Sequence, residues 1–135
     1  ELAGEMSGHI FFADRYYGYD DALYAACRLM EIVAASGKPL SYQLAGLPKM
    51  VNTPEIRLDS DDEKKFGLVE KVKEHYRKTH EVIDVDGVRV KFAQGWGLLR
   101  ASNTQPVLVM RFEAETPELL AQYKAEMEGV LASFA

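Results

Sequence analysis

The first apolar signal along the chain is a short run at residues 10–12, Ile-Phe-Phe, of strand length. Leu23, Cys27, Met30 and Ala34 then recur at helical spacing and predict a helix with these four on one face. Asp20 is the expected N-cap, and Gly37 and Pro39 stop the helix. A second short helix is expected at 42–47. Two prolines and Asn52 within 48–54 read as a linker. The domain boundary is set there, with one part over 1–45 and another over 46–135.

The second part is more regular. A strand at 56–58 leads to Ser60-Asp61-Asp62-Glu63, the pattern of a capping box. The helix after it is expected to bury Phe66, Val69, Val72 and Tyr76, and its late bases Lys73, Arg77 and Lys78 suit the helix dipole. Asp86-Gly87 between two alternating runs predicts a tight hairpin. In that register Val85 faces Val88, Ile83 faces Val90, and Asp84 lies opposite Arg89 on the wet side. Gly95-Trp96-Gly97 interrupts the alternation, and strands follow at 98–100 and 107–113, with Leu108, Met110 and Phe112 on one face. Thr116-Pro117-Glu118 opens a last helix whose stripe is Leu120, Tyr123, Met127, Val130 and Phe134. The order predicts an α+β domain, with helices on one face of a mainly antiparallel sheet.

Composition adds limits. In 135 residues, 47% hydrophobic positions are enough for a core without disulfide or metal staples. A formal net charge of -5 argues against broad nucleic-acid binding, which needs a basic face. A few aimed donors could still hold one anion. The single cysteine, Cys27, allows no internal disulfide, suits a reducing cytoplasm, and is expected to be a small buried hydrophobe. No apolar run approaches the roughly 20 residues of a membrane span. Glu1-Leu2-Ala3-Gly4-Glu5 has no Met, basic region or apolar core, so it reads as a cut within a larger protein and not as a signal peptide.

Two stretches could carry chemistry. Gly4-Glu5-Met6-Ser7-Gly8-His9 brings a carboxylate, a hydroxyl and an imidazole together between glycines. Glu5 could accept from two sugar hydroxyls, Ser7 could add a bond, and His9 could move a proton near neutral pH. Arg100-Ala101-Ser102-Asn103-Thr104-Gln105-Pro106 lies between two strands. Arg100 could fork onto phosphate oxygens, and Ser102, Asn103 and Thr104 offer further donors. A left-handed Asn103 would turn the backbone N–H groups into an anion nest. On residue types alone, an ordinary polar loop accounts for each stretch at least as well. The acids of residues 59–70 lack the glycine of a calcium loop, since position six is Lys64. His75 and His80 lie near a helix end without further ligands nearby in sequence. Tyr16, Tyr17 and Tyr19 read as packing.

Taken together, and in this order, the two stretches resemble the phosphomannomutase/phosphoglucomutase branch of the α-D-phosphohexomutases. Residues 10–12, Asp20-Asp21-Ala22, Arg28-Leu29-Met30-Glu31 and Asn52-Thr53-Pro54-Glu55 carry the same resemblance, which covers nearly the whole chain. It implies that residues 1–45 are the tail of a third domain of an α/β kind. It also implies that 46–135 are a mobile fourth domain with a fold similar to the TATA-box-binding protein. It assigns Glu5 and Ser7 to sugar hydroxyls and His9 to possible proton transfer. Arg100, Ser102, Asn103 and Thr104 fall to the phosphate that is not transferred. The implied ligands are hexose phosphates and hexose 1,6-bisphosphate, and the implied partners are the enzyme's N-terminal domains, with neither nucleic acid nor membrane. The implied cofactor is magnesium. The family's Ser-His-Asn-Pro nucleophile loop and Asp-Gly-Asp metal loop do not occur in this sequence, so no catalytic serine or metal ligand is assigned. A phosphoglucosamine-type mutase is a second reading, disfavoured by Met6 and Asn103. A non-catalytic phosphosugar-binding or interaction module is a third.

Overall fold

In the computed structural model, which describes residues 1–5 and 7–134, Leu2–Gly4 (β1) and Ile10–Phe12 (β2) pair antiparallel, with Ala3 opposite Phe11. Met6, part of the first motif, lies outside the described residues. The chain divides into two units, Glu1–Leu47 and Pro48–Ala135.

In the first unit, the helix Ala22–Ser36 (α1) is capped by Asp21, whose side chain accepts from the Tyr24 N–H. The cap is therefore one residue later than expected. Asp20 is engaged elsewhere, in a bridge with Phe11. Gly37 ends the helix and donates its N–H to the Val33 carbonyl. The short helix expected at 42–47 is instead a single 3-10 turn over Leu40–Tyr42, which directly follows Pro39. The α1 stripe is not buried: Leu23, Met30 and Cys27 are exposed. The expectation of a buried Cys27 is corrected, because among the described residues of this unit nothing covers that face.

The second unit contains Val51–Asn52 (β3), Ile56–Asp59 (β4), Lys65–Tyr76 (α2), Glu81–Ile83 (β5), Val88–Phe92 (β6), Gly95–Ala101 (β7), Val107–Ala114 (β8) and Pro117–Ala132 (α3). The sheet runs β3-β8-β7-β6-β5, with β4 also on β8, and every pairing is antiparallel. Period-two alternation sets its faces. Val90, Gly97 and Phe112 stand in one row, and Val88, Leu99 and Met110 in the next. That face packs against Val69, Val72 and Tyr76 of α2 and Tyr123, Met127 and Leu131 of α3 in one core. Each fully buried large apolar side chain there contributes about 1.5–3 kcal/mol. The α+β architecture is as the periodicity predicted. So is the α3 start, where Thr116 accepts from the Leu119 N–H and Pro117 takes the first turn.

Several local expectations are overturned. Gly95-Trp96-Gly97 does not interrupt a strand but lies inside β7. Both glycines face the core side, and a Cβ on Gly97 would stand 2.8 Å from the Phe112 ring and 3.0 Å from the Met127 methyl. The β5–β6 register is one residue off the expected one, pairing Val82 with Val90 and Ile83 with Arg89. A one-residue slip exchanges faces, so Ile83 and Val85 point outward, the latter 93% exposed. The cause is a four-residue connection whose acids are drawn elsewhere: Asp84 pairs with Arg77 and Asp86 with Arg100. The capping box does not form. The Asp61 carbonyl accepts from Lys64 and Lys65 N–H, the helix begins at Lys65, and the Ser60 N–H donates to the Pro106 carbonyl. The buried α2 stripe is Lys65, Val69, Val72 and Tyr76, while Phe66 is half exposed.

Candidate functional site

The first motif is the loop of the β1–β2 hairpin. The Glu5 N–H donates to the His9 carbonyl at 2.9 Å, and the Gly8 N–H to the Glu5 carbonyl at 3.0 Å. This closure brings the side chains together. The Ser7 hydroxyl donates to the Glu5 carboxylate at 3.1 Å. His9 Nδ1 lies 2.6 Å from Asp20 Oδ2, with half of the imidazole exposed. Asp20 is held opposite Phe11 by its bridge, so the fold itself supplies His9 with an acidic partner. The Asp20 hydrogen bond raises the His9 pKa, the Asp20 charge raises it further, and Glu5 adds a smaller push against slight desolvation. A carboxylate on Nδ1 leaves Nε2 to face a ligand, an arrangement suited to holding or moving a proton. An ion-pair network joins the segment after β2 to α1. Arg28 bonds Asp14 at 2.8 Å and lies 4.5 Å from the Phe12 ring centre, and Arg15 bonds Glu31 at 2.7 Å. Arg28 holds the Asp14 pKa down to about 2.

The second motif is the β7–β8 connection. Leu99 and Ala101 face the core, so alternation puts Arg100 on the face without helices, beside Val109 of β8. Its side chain is about one-third exposed, and among the described residues the guanidinium has one ion-pair partner, Asp86, at 3.3 Å. Its other N–H groups form no hydrogen bond among the described residues. Arg57 stands in the same row beyond Val109, and Arg111 is in the next row. The Glu55 carboxyl sits below its usual pKa because Arg57 bonds it at 2.8 Å, with the charges of Arg57, Arg100 and Arg111 adding to the effect. Three arginines thus gather on this face of an acidic chain, with Glu55 paired to Arg57 and Asp86 to Arg100.

The loop is shaped by Ser102. Its N–H donates to the Val107 carbonyl at 3.0 Å, and its Oγ accepts from the Thr104 and Gln105 N–H groups at 3.3 and 3.2 Å. Among the described residues the Ser102 O–H has no acceptor, so it can donate to a ligand. The expected left-handed Asn103 is not found: among the described residues, only glycines have positive φ. The serine hydroxyl takes up the N–H groups that the nest would have presented, so an anion would be held by side chains. Asn103 and Thr104 are exposed, and their side chains form no hydrogen bond among the described residues. Residues 105–106 are tied down by Lys65, Arg57 and Ser60.

Sequence reasoning missed Lys65, Arg57 and the pairing of Asp20 with His9. Only the first left a signal: Lys65, not Phe66, falls at helical spacing with Val69, Val72 and Tyr76. An apolar groove of about 460 Å³, lined by residues including Leu58, Gly67, Leu68, Leu131 and Phe134, includes none of the candidate residues. Among the described residues, no helix is long and apolar enough to cross a membrane.

Comparison with known proteins gives a consistent match. Residues 55–130 match the family model described as phosphoglucomutase/phosphomannomutase, C-terminal domain. Residues 1–51 match the model for alpha/beta/alpha domain III of the same family. A phosphomannomutase/phosphoglucomutase of Pseudomonas aeruginosa is 44% identical over 131 residues, covering 96% of this chain and 28% of that protein. A phosphoglucomutase of Neisseria gonorrhoeae is 42% identical over 135 residues, covering 98% and 29%. The crystal structure of a phosphoglucomutase/phosphomannomutase family protein from Burkholderia thailandensis aligns at a TM-score of 0.79 with 43% identity, covering 98% of this chain and 28% of that one. The chain thus spans between a quarter and a third of the length of these relatives.

Proposed function

The chain belongs to the phosphoglucomutase/phosphomannomutase family, and from that premise we propose that it is the C-terminal, substrate-binding part of a mutase interconverting hexose 1-phosphates and 6-phosphates. In this reading, residues 1–45 are the tail of the third domain and 46–135 the fourth. Arg100, Ser102, Asn103 and Thr104 hold the phosphate that is not transferred. Glu5 and Ser7 bind sugar hydroxyls, and His9 holds or moves a proton beside the reacting hydroxyl. A phosphoserine of the complete enzyme gives its phosphoryl group to the free hydroxyl of the sugar monophosphate. The bisphosphate reorients, and its other phosphoryl group returns to the serine, so phosphate is conserved over the cycle. A clamp that grips one phosphate and the 3- and 4-hydroxyls serves both orientations and is indifferent to the 2-hydroxyl. Glucose and mannose would both fit it.

The observation that carries this reading is the exposed end of the β7–β8 hairpin. There Arg100, whose one ion-pair partner among the described residues is Asp86 at 3.3 Å, directly precedes in sequence a loop in which the Ser102 O–H and the Asn103 and Thr104 side chains donate to no described residue. Charge-assisted bonds from such a set suit a phosphate dianion. Among the described residues, no three His, Cys, Asp or Glu side chains gather at a point that could hold a metal ion. The residues here do not fit a magnesium site, and no step assigned to this chain runs through one.

The test is kinetic. In the protein carrying all the family's domains, Arg100→Ala lowers kcat/KM for glucose 1-phosphate by about 10- to 150-fold, the roughly 1.5–3 kcal/mol of a charge-assisted hydrogen bond. An unchanged kcat/KM sinks the assignment. The 135-residue chain alone turns over no glucose 1-phosphate, because its sequence contains neither the nucleophile loop nor the metal loop. Turnover above background by the chain alone would overturn the division of labour.

A further inference from the structure

We propose that Lys65 is a positioning residue for the phosphate-binding end of the β7–β8 hairpin. The inference rests on the reading of Arg100, Ser102, Asn103 and Thr104 given above. Lys65 is 3% exposed and the only charged side chain buried among the described residues. It occupies the first position of the stripe continued by Val69, Val72 and Tyr76, where an apolar side chain would pack without desolvating a charge. A buried ammonium is a poor choice for stability alone and persists where its bonds fix a particular arrangement.

Those bonds reach the loop. Lys65 Nζ donates to Asp62 Oδ1 at 2.5 Å and to the Gln105 carbonyl at 2.9 Å. Asp62, on the turn before α2, neutralises the charge. The Gln105 carbonyl belongs to the hairpin end and also accepts from the Val107 N–H at 2.8 Å, so both of its lone pairs are committed. Arg57 bonds the Gln105 side-chain oxygen at 2.6 Å, and the Ser60 N–H bonds the Pro106 carbonyl at 2.9 Å. Residues 105–106 are thereby pinned to the α2 entry, while 102–104 project.

The consequence for an anion is directional. Drawing the Gln105 carbonyl oxygen onto a buried ammonium keeps a negative dipole end from swinging toward the bound phosphate. The same residue donates its N–H, on the preceding peptide, to Ser102 Oγ at 3.2 Å. Holding Gln105 from both sides of its Cα therefore ties the position of Ser102 Oγ, and of Thr104 between them, to the Lys65 bond. Several short bonds to one ligand lose strength together when their common support shifts.

The experiment titrates glucose 1-phosphate into the 135-residue chain labelled with nitrogen-15, comparing wild type, Lys65→Met and Arg100→Ala. Met keeps the length and apolar body of the side chain. We expect Lys65→Met to keep the core and Trp96 signals, to shift or broaden the 102–106 amides before ligand is added, and to raise Kd by about fivefold to tenfold. Unmoved loop amides with an unchanged Kd, while Arg100→Ala still weakens binding, would overturn the role of Lys65 and leave the site standing. Binding unaffected by Arg100→Ala would overturn the site and this inference with it. If Lys65→Met does not fold, the wild-type Lys65 ammonium signal decides. It should exchange slowly with water and shift along the same saturation curve as the loop amides, and a fast-exchanging or ligand-insensitive signal contradicts the proposal.

Discussion

Gly87 lies against Arg100: a Cβ placed on Gly87 would come within 2.6 Å of the Arg100 Cβ and 2.3 Å of the Leu99 carbonyl oxygen. The backbone at Gly87 has φ +79°, a region that other residues enter at a cost of about 1–3 kcal/mol. Next to it, Asp86 makes the one ion pair that the Arg100 guanidinium forms among the described residues. The β5–β6 connection is therefore the floor on which Arg100 rests. Gly87→Ala should lower unfolding stability by at least that backbone cost and also weaken phosphosugar binding. Denaturant unfolding and ligand titration on the same sample check both, and a variant as stable as wild type would contradict the packing.

Removing Asp86 should act in the opposite sense on binding. Asp86→Asn takes away a carboxylate that competes with a phosphate for Arg100. The pair is exposed and long, so stability should change by less than about 0.5 kcal/mol. Affinity for glucose 1-phosphate should rise modestly at low salt and converge with wild type as salt screens the charge. Weaker binding would mean that Asp86 orients the guanidinium.

His9 should titrate above its ordinary value, because the Asp20 hydrogen bond and charge favour the imidazolium. The sign for stability follows from a folded-state pKa raised above the unfolded one. The contribution is complete below the unfolded pKa, about 6.5, and fades as pH rises through the raised folded value. Asp20→Asn should lower the His9 midpoint, as read from the imidazole proton signals. Equal midpoints in the two proteins would disprove the coupling.

Gly97→Ala should destabilise the second unit by about 1–3 kcal/mol, the usual cost of overpacking a filled core. The new methyl would press on the Phe112 ring, 1% exposed, and on Met127, fully buried. Thermal unfolding measures the loss, and an unchanged midpoint would show that the core can yield there.

Thr116→Ala should cost about 1 kcal/mol, since its hydroxyl oxygen caps α3 by accepting from the Leu119 N–H. Binding at the hairpin end should be unchanged, which makes this variant a stability control for the others.

The sequence made the fold legible wherever local chemistry and burial agree. Thr116-Pro117 announces α3, and Leu108, Met110 and Phe112 announce the core face of β8. It misled where a long-range partner outbids a local one. Asp86-Gly87 has the signature of a two-residue turn, but Arg77 and Arg100 draw Asp84 and Asp86 apart and stretch the loop to four residues. Ser60 and Glu63 match a capping box, but the Ser60 N–H goes to Pro106, distant in sequence. An apolar Phe66 suggests burial, whereas Lys65 is the buried residue because the Gln105 carbonyl is there to receive it. The motif residues Glu5, Ser7 and His9 could be named from the sequence. That Asp20 serves His9 could not, because it depends on the bridge between Phe11 and Asp20.

The central claim is that the end of the β7–β8 hairpin grips a phosphate through Arg100. Glucose 1-phosphate and, separately, glucose should be titrated into the 135-residue chain while the backbone amides are followed. The account predicts saturable shifts centred on residues 102–105 with the phosphosugar, none with glucose, and their loss in Arg100→Ala. Shifts of the same size with glucose, or shifts that survive Arg100→Ala, would contradict it.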